Sequence, residues 1–594
     1  MAALFTTPKR NDTTAGTHVA EPDVRRRIGL AHGSWRRVTR RIVAGAVCAL
    51  TVSSLLMPSV SIAAEWVKVG GNKYNTAASD EAGTWSWDGA DDLKLNNYNG
   101  GEIQAAGKLN VNYSGTNIVT AEWIESINVS HGTNENAELN IQGNEGGTLS
   151  VTSTEDAILS TGNINIDGAG SVNATSTGFD AINAGGDLAI KGSGNVNATG
   201  ASDGIRANGN ITIDDSGAVT ARATEDKGIG TDKNLTIKGG GTVEASSADG
   251  EALWSGGNIN ISDGSQVKAS SEKDAAVEAK GSLAATNASL NVNGVEYGVY
   301  AHEGITLDHA NVTVRAGKGR YGDAIALFTY QDDIVVKNGS TVDAFAEGEV
   351  SAAFSTRNDR PNEKGGHIYI SDSVVKAIAR YIENGDGPTP YSENQDGETS
   401  PEPQGENIGI IAQTSEGVTP AVISIIRSKV TAEGDTAAIF ARAMSADGKT
   451  IGTIKIENAA IQTPEGGKVI GYRKLRDGIY EAGQAIGTGD ATVDSLYIKA
   501  VAKSTTIAPP EVAKPEDPKP DETKPAESKP AESKQNPKPE GSKPTKAVAA
   551  SITKAKTTGV LAATGDTSGA AIVATVLAGT AAIAAGTMAS RKRS

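Results

Sequence analysis

Aspartate residues recur at a nearly constant interval through the middle of this 594-residue chain. Each precedes a short apolar phrase, and successive members are 23 to 25 residues apart. The members are Asp156, Asp180, Asp203, Asp226, Asp249 and Asp274. If each belongs to one turn of a coiled chain, the carboxylates stack about 5 Å apart, where like charges repel each other. Some other interaction must therefore compensate for that repulsion.

Two compensating interactions fit this pattern. In the first, each carboxylate accepts hydrogen bonds from backbone amides in an Asx-type turn. In the second, neighbouring carboxylates share Ca²⁺, a hard cation that takes several oxygen ligands. We favour turn chemistry and keep calcium as the alternative, with ligands Asp180, Asp203, Asp226, Asp249 and Asp274. The chain is predicted to require no cofactor, with Ca²⁺ as the one candidate, and it lacks the Gly-Gly-x-Gly-x-Asp calcium repeat.

A second recurring set of residues follows the apolar residue at the start of each phrase. Its members are Asn183, Arg206, Gly230, Trp254, Glu278 and Tyr300. Because the preceding apolar side chain points into the core, these side chains face outward. Trp254 and Tyr300 then lie about 10 Å apart with Glu278 between them, a spacing suited to stacking on sugar rings. We predict glycan binding by Arg206, Trp254, Glu278 and Tyr300; the alternative is packing under an adjoining loop.

Catalytic groups are not evident. The repeats between Ile164 and Ala279 are nearly uniform, whereas an active site should interrupt a repeat. The single cysteine, Cys48, lies in an N-terminal apolar segment that is predicted to be removed, so the mature chain has no thiol. The chain is predicted not to be an enzyme, and a polysaccharide lyase that uses Arg206 as its base is the lesser alternative.

Three apolar columns share one period, which indicates how these residues are positioned. The first column has gaps of 22 to 24 residues and contains Ile164, Leu188, Ile211, Leu235, Ile259, Leu283 and Ile305. Two further columns begin at Val172 and Ile182, and all three show the period-2 alternation of strands. The sequence predicts an all-β fold, a right-handed parallel β-helix with about 24 residues and three short strands per coil.

The predicted β-helix spans residues 106–505, with inserts at 358–366 and 384–406. An uncapped β-helix would expose its core and a strand edge, so residues 65–105 are predicted to form an N-terminal cap. Trp85 and Trp87 fall on one face of a strand there, and we assign them to capping in preference to sugar stacking.

The phrase Asp203-Gly204-Ile205-Arg206-Ala207, followed by Asn210-Ile211-Thr212-Ile213, resembles a bacterial family of exported, parallel β-helical carbohydrate-binding domains. The resemblance covers roughly residues 140 to 330. It implies binding of plant-type polysaccharides and calcium, but it points to no particular sugar-contacting residue. The lead-in Asn97-Tyr98-Asn99-Gly100-Gly101 is similar to that of wall-anchored proteins from gut actinobacteria.

Both ends of the chain have the composition of export and anchoring segments. Residues 1–64 are predicted to be a signal peptide, with clustered arginines before an apolar stretch and small residues at the cleavage point. Residues 506–560 are rich in Lys, Pro and Glu and are predicted to form a disordered, wall-spanning linker, extended over on the order of 100 Å.

The C-terminal segment, residues 561–594, combines a short motif, an apolar run and a basic tail. The motif is Leu561-Ala562-Ala563-Thr564-Gly565, and the chain ends in Arg591-Lys592-Arg593-Ser594. This arrangement resembles the cell-wall sorting signal of Gram-positive bacteria, in a variant found in high-GC members. It implies that a sortase cuts after Thr564 and joins that residue to peptidoglycan. The alternative is a plain transmembrane helix as a hydrophobic anchor.

The formal net charge of −16 excludes nucleic acid as a favoured partner, because phosphate backbones are repelled by an acidic surface. The sequence therefore predicts a secreted protein on the cell-wall surface of a Gram-positive bacterium, acting as an adhesin or carbohydrate-binding protein. Its partners would be peptidoglycan and either a glycan or a host surface protein. A structural spacer without a specific ligand is the alternative.

Overall fold

The computed structural model describes residues 63–121, 127–130, 137–317, 319, 322–360, 365–382, 406–446, 448–476, 479–489 and 501–510. These residues form strands and turns but no helix, and thus no helix among them has the length and apolar character needed to cross a bilayer. Nearly all of the predicted signal peptide, most of the longer insert, the linker after residue 510 and the Leu561–Gly565 motif lie outside the described residues.

The chain is a parallel β-helix, as predicted, in which each regular coil contributes one strand to each of three sheets. The first sheet contains, in spatial order, Ala78–Ser79, Trp85–Trp87, Asp92–Asn96, Lys108–Ser114, Glu138–Gly143, Asn163–Gly168, Leu188–Lys191, Ile211–Asp214, Leu235–Lys238, Ile259–Ile261, Leu283–Thr286, Ile305–Asp308, Ile334–Lys337, Ile368–Ser371, Val422–Ile426 and Thr453–Glu457.

The second sheet contains, in spatial order, Asn99–Gly100, Thr116–Thr120, Thr148–Ser153, Ser171–Ser176, Val196–Gly200, Ala218–Ala223, Thr242–Ser247, Gln266–Ser271, Ser289–Val295, Asn311–Gly317, Thr341–Gly348, Val374–Tyr381, Lys429–Gly434, Ser504–Ala508 and Ala460–Thr463.

The third sheet carries the residues with functional potential. In spatial order its strands are Asn72–Tyr74, Val67–Val69, Ile103–Ala106, Ile127–Ser130, Ile158–Ser160, Ile182–Ala184, Ile205–Ala207, Ile229–Thr231, Leu253–Ser255, Val277–Ala279, Tyr297–Ala301, Asp323–Thr329, Val350–Asn358, Asn407–Thr414, Ala437–Ser445, Ile479–Gly487 and Lys468–Arg476.

The apolar columns stack inside the coils and account for the stability of the fold. Ile205, Ile211 and Val219, one from each sheet of the same coil, are completely buried. One continuous core extends from Ala64 to Ile507. Each such side chain contributes about 1.5–3 kcal/mol on burial, so every added coil brings its own share of stabilisation.

One corner of the coil, between the first and second sheets, explains much of the Gly, Asn and Asp content. At successive coils at least one residue there has a positive φ, which Gly, Asn and Asp tolerate better than most other residue types. The corner residues are Gly168, Gly192, Asp215, Gly239, Asp263, Asn287, His309, Asn338, Asp372, Arg427 and Asn458.

Both ends of the β-helix are closed by antiparallel strands. At the N-terminal end Val67–Val69 pairs antiparallel with Asn72–Tyr74, and Trp85 and Trp87 are 7% and 2% exposed within the core. The indole Nε1–H of Trp87 donates to the Ala90 carbonyl at 3.1 Å. Both tryptophans therefore pack into the core at this end, as the predicted capping role requires. At the C-terminal end the antiparallel hairpin of Lys468–Arg476 and Ile479–Gly487 closes the third sheet.

A ladder of polar side chains, which the sequence analysis did not identify, supports the turn before the first-sheet strands. In the coils between Asn163 and Ser282, a side-chain oxygen accepts from the backbone N–H of the equivalent residue one coil later, at 2.6–3.3 Å. The members are Asn163, Asp187, Asn210, Asn234, Asn258 and Ser282. The signal in the sequence was a short polar residue immediately before each apolar phrase.

Replacing Asn258 with alanine is expected to destabilise the protein by about 1–2 kcal/mol, because two hydrogen bonds of about 0.5–1.5 kcal/mol each are lost. Its Oδ1 accepts from the Ser282 N–H at 2.9 Å and from the Ser282 hydroxyl at 3.1 Å, and alanine removes both bonds. Urea denaturation would measure the change. Asn258→Asp is the matched control, because Asp187 already fills the equivalent position; a loss as large as that of the alanine variant would contradict this account.

Candidate functional site

The register of the third sheet divides the predicted aspartate column. The strands that begin at Ile182, Ile205, Ile229, Leu253 and Val277 are paired in register. Asp180 and Asp203 precede their strands by two residues. Asp226 and Asp274 precede theirs by three residues, and Asp249 by four. The prediction that all six aspartates stack in one column was therefore wrong, because inward apolar residues set the register while the preceding turn varies in length.

The in-register aspartates form a carboxylate-to-amide ladder. Asp156 Oδ1 accepts from the Asp180 N–H, and Asp180 Oδ1 accepts from the Asp203 N–H, both at 2.9 Å. Asp203 Oδ1 accepts from the Lys227 N–H at 2.6 Å. Backbone N–H groups thus compensate these carboxylates, as in the first of the two interactions considered above. Each N–H, however, belongs to the following coil and not to the turn that contains the aspartate. Burial, together with repulsion from Asp180, raises the pKa of Asp203 to about 7, and burial also raises the pKa of Asp180.

The remaining three aspartates have separate partners. Asp226 pairs with the neighbouring Lys227, and Asp249 pairs with Lys273 one coil later. Asp274 accepts from the Ala275 N–H at 2.7 Å. Within the described ranges, no group of three or more His, Cys, Asp or Glu side chains is arranged to hold a metal ion. Calcium binding stays a prediction.

The predicted outward column is continuous across neighbouring strands. Its predicted members pair directly from coil to coil: Asn183, Arg206, Gly230, Trp254, Glu278 and Tyr300. The structure extends the column to Phe328, which pairs with Tyr300. Several charged side chains from adjacent positions contact this column. We call the combined surface the outer strip; it comprises Arg206, Lys227, Glu251, Trp254, Glu278, Lys280, Tyr300 and His302.

Lys227 enters the outer strip because Gly230 has no side chain. A Cβ added at Gly230 would lie only 2.8 Å from Lys227 Cδ, so the lysine stem occupies the space that a larger residue would need. Its Nζ lies 5.3 Å from the ring centroid of Trp254 and 4.0 Å from Glu251 Oε2. The half-buried indole is therefore held by a cation–π contact at one side and is partly open to solvent. The sequence analysis did not identify Lys227.

Glu278 is unusual because an outward-facing carboxylate is only 8% exposed. It is contacted by Lys280 Nζ and lies 3.4 Å from His302 Nε2. Burial, and a hydrogen bond with Glu278, raise the pKa of Glu251 to about 7. Burial of Glu278 acts in the same direction, but hydrogen bonds from His302, Lys280 and Glu251 outweigh it and lower its pKa. The pKa values of these two neighbouring carboxyls are therefore shifted in opposite directions.

Tyr300 lies where the strip meets a second apolar cluster on the outer face of the third sheet. Its ring centroid is 4.5 Å from His302, 5.2 Å from Tyr297 and 5.2 Å from Phe328, which leaves it half-buried. Burial raises its pKa to about 12. The cluster contains Ile325, Phe328, Ala352, Ile408, Ile411, Ala437, Phe440, Ile470, Tyr472 and Ala485. Packing, the alternative considered for this column, therefore accounts for part of the Tyr300 surface.

Arg206 closes the other end of the strip and is already paired. Its Nη2 lies 3.0 Å from Asp232 Oδ1, and its Nη1 lies 3.6 Å from Asp203 Oδ2. The structure thus brings all four predicted glycan-binding residues onto one face, and it adds Lys227, Glu251, Lys280 and His302. The chemistry available there is ring stacking on an indole beside a row of hydrogen-bonding groups.

Comparisons of the chain with protein-family models, with curated proteins and with solved structures give no match in any of the three. The fold and the outer strip define the class of protein: a parallel β-helix with an aromatic and charged surface along one sheet.

Proposed function

We propose that this protein is a non-catalytic adhesin that binds carbohydrate through the outer strip. The observation that carries the proposal is the pairing of Trp254, Glu278 and Tyr300 on three successive strands. Adjacent strands are about 4.8 Å apart, so the two aromatic rings flank the carboxylate over a distance of roughly 10 Å. Partly exposed aromatic rings at such a spacing can stack on successive sugars of one glycan chain.

The arrangement of the acidic groups supports binding over hydrolysis. Glycosidases place their two catalytic carboxyls roughly 5–10 Å apart so that a sugar or water fits between them. Glu251 and Glu278 are instead direct neighbours that shift each other's pKa. We take a polysaccharide lyase or hydrolase as the lesser candidate for the same surface.

We further propose that the protein is secreted and joined to the cell wall of a Gram-positive bacterium at Thr564. This part of the proposal is supported by the sequence alone, through Leu561–Gly565 and the apolar and basic segments that follow it. Peptidoglycan would then be the covalent partner, and a host or dietary glycan or a host surface protein the binding partner.

Replacing Trp254 with alanine is expected to weaken glycan binding at least tenfold, since exposed tryptophans that stack on ligands commonly dominate binding energy. The measurement is binding of the full-length protein to a glycan array. Tyr369→Ala is the matched control: Tyr369 is 37% exposed and lies on the outer face of the first sheet, away from the strip. Glycans whose binding falls equally in both variants would count against the strip, and no binding by the wild type would favour a structural spacer.

A further inference from the structure

The two cations at the end of the outer strip farthest from Tyr300 are already neutralised by the protein itself. Arg206 is bound by Asp232 at 3.0 Å and by Asp203 at 3.6 Å. Lys227 contacts Asp226 and lies 4.0 Å from Glu251, and its side chain is only 14% exposed. An anionic sugar would therefore have to displace a carboxylate from one of these cations before it could pair with it.

The carboxylates beside the aromatic rings are likewise already paired with side chains of the protein. Lys280 and His302 both contact Glu278, whose side chain is 10% exposed. Glu251 neighbours Glu278, and its Oε2 lies 4.0 Å from Lys227 Nζ. A ligand ammonium placed near Trp254 would thus meet two resident lysines and a carboxylate that already has a partner.

For a charged ligand of either sign, the free energy lost by breaking a resident ion pair therefore exceeds the free energy gained from the new one. Breaking a partly buried ion pair leaves one charge without its partner, and that cost discriminates strongly against the ligand that causes it. An uncharged sugar needs no such exchange, because its apolar face can pack on Trp254 while its hydroxyls bond to groups that remain paired.

We infer that the outer strip selects uncharged sugars and discriminates against uronate, sulfated and amine-bearing sugars. The inference rests on the proposed function, since it concerns the ligand class of that same surface. The specificity arises because the charged side chains of the strip already form ion pairs with other side chains of the protein.

The test is an array on which the same glycan backbones are printed in neutral, uronate, sulfated and amine-bearing forms. Full-length wild-type protein is compared with Trp254→Ala, and only the glycans lost in the variant are scored. We expect neutral forms to bind about tenfold more strongly than their charged counterparts. Equal or stronger binding of any charged form would overturn the inference. A complete lack of glycans that depend on Trp254 would instead refute the proposed function itself.

A second variant tests the role assigned to the resident lysine. Lys280→Ala frees Glu278 of its ammonium partner, so binding of amine-bearing glycans relative to neutral ones should rise by about tenfold on the same array. Lys280→Arg preserves the positive charge and should keep the wild-type ratio. The Lys280 side chain is 43% exposed, so loss of folding is not expected. An unchanged ratio in the alanine variant would show that Lys280 does not exclude cationic sugars.

Discussion

Replacing Asp203 with asparagine should stabilise the protein at pH 8 and leave its stability at pH 4 nearly unchanged. Asp203 is 1% exposed, and its pKa is raised from 3.8 to about 7 by burial and by the nearby Asp180. Asparagine carries no charge at either pH, and its side-chain oxygen can still accept from the Lys227 N–H.

The direction follows from proton binding in the two states. Below pH 4 the carboxyl is protonated in both the folded and the unfolded protein. Between pH 4 and pH 7 only the folded protein retains the proton, so the free energy of unfolding falls as the pH rises and levels off above about 7. Glu251 and Asp323, whose pKa values burial also raises to about 7, add to this decline in the wild type. The asparagine variant removes the contribution of Asp203 alone.

A pKa difference of this size corresponds to roughly 4 kcal/mol, and loss of the 3.6 Å contact with Arg206 offsets part of it, so we expect about 2 kcal/mol at pH 8. Chemical denaturation at the two pH values would measure the effect. Asp232→Asn is the control, because its 46% exposed carboxylate also pairs with Arg206 but should change stability by less than about 1 kcal/mol. A stability gain that is the same at pH 4 and pH 8 would disprove the assigned titration.

Replacing Trp87 with alanine should destabilise the N-terminal end by about 3–5 kcal/mol, the usual cost of truncating a buried tryptophan. Trp87 is 2% exposed, and its strand pairs with Asp92–Asn96, which begins the parallel stack of the first sheet. Because each coil of a solenoid contacts only its neighbours, the loss should be confined to the coils nearest the cap.

Hydrogen exchange followed by mass spectrometry can locate that loss. Amide protection should fall across Asp92–Asn96 and Lys108–Ser114 and be retained from Ile211–Asp214 onward. Trp66→Ala is the matched control within the cap, since Trp66 is half-buried and its main polar contact is Lys73 Nζ, 4.2 Å from the ring centroid. A uniform loss of protection along the whole β-helix would contradict the local capping role.

The fold could be predicted from sequence because one physical signal dominated it. Inward positions alternate with outward ones at period 2, and the same inward residue types recur at one period, as in Ile205, Ile229 and Leu253. Once that register was assigned, the direct pairing of Trp254 with Glu278 and of Glu278 with Tyr300 followed without further information.

Features that depend on turn length or on side-chain packing could not be predicted in the same way. The prediction of one aspartate column was wrong because the turns differ in length. Asp226 and Asp249 lie one and two residues farther from the start of their strands than Asp203 does. Lys227 joined the strip only because its stem fills the space beside Gly230.

The second apolar cluster had a sequence signal that was not used. Third-sheet strands lengthen from three residues at Val277–Ala279 to seven at Asp323–Thr329 and nine at Val350–Asn358. In that longer segment the apolar run Ala324–Phe328 no longer alternates with polar residues, which indicates burial on both faces of the sheet.

The closed ends and the uniform coils together determine how the β-helix should respond to mechanical load. Tension on a terminal strand falls on the hydrogen bonds that join it to one neighbouring strand, so coils should detach singly and in order. A detached coil of about 24 residues straightens to roughly 80 Å, in place of the about 4.8 Å that it occupied along the axis. The β-helix would therefore behave as an extensible tether that absorbs work in small, repeated steps, and the antiparallel caps would set the force at which extension begins.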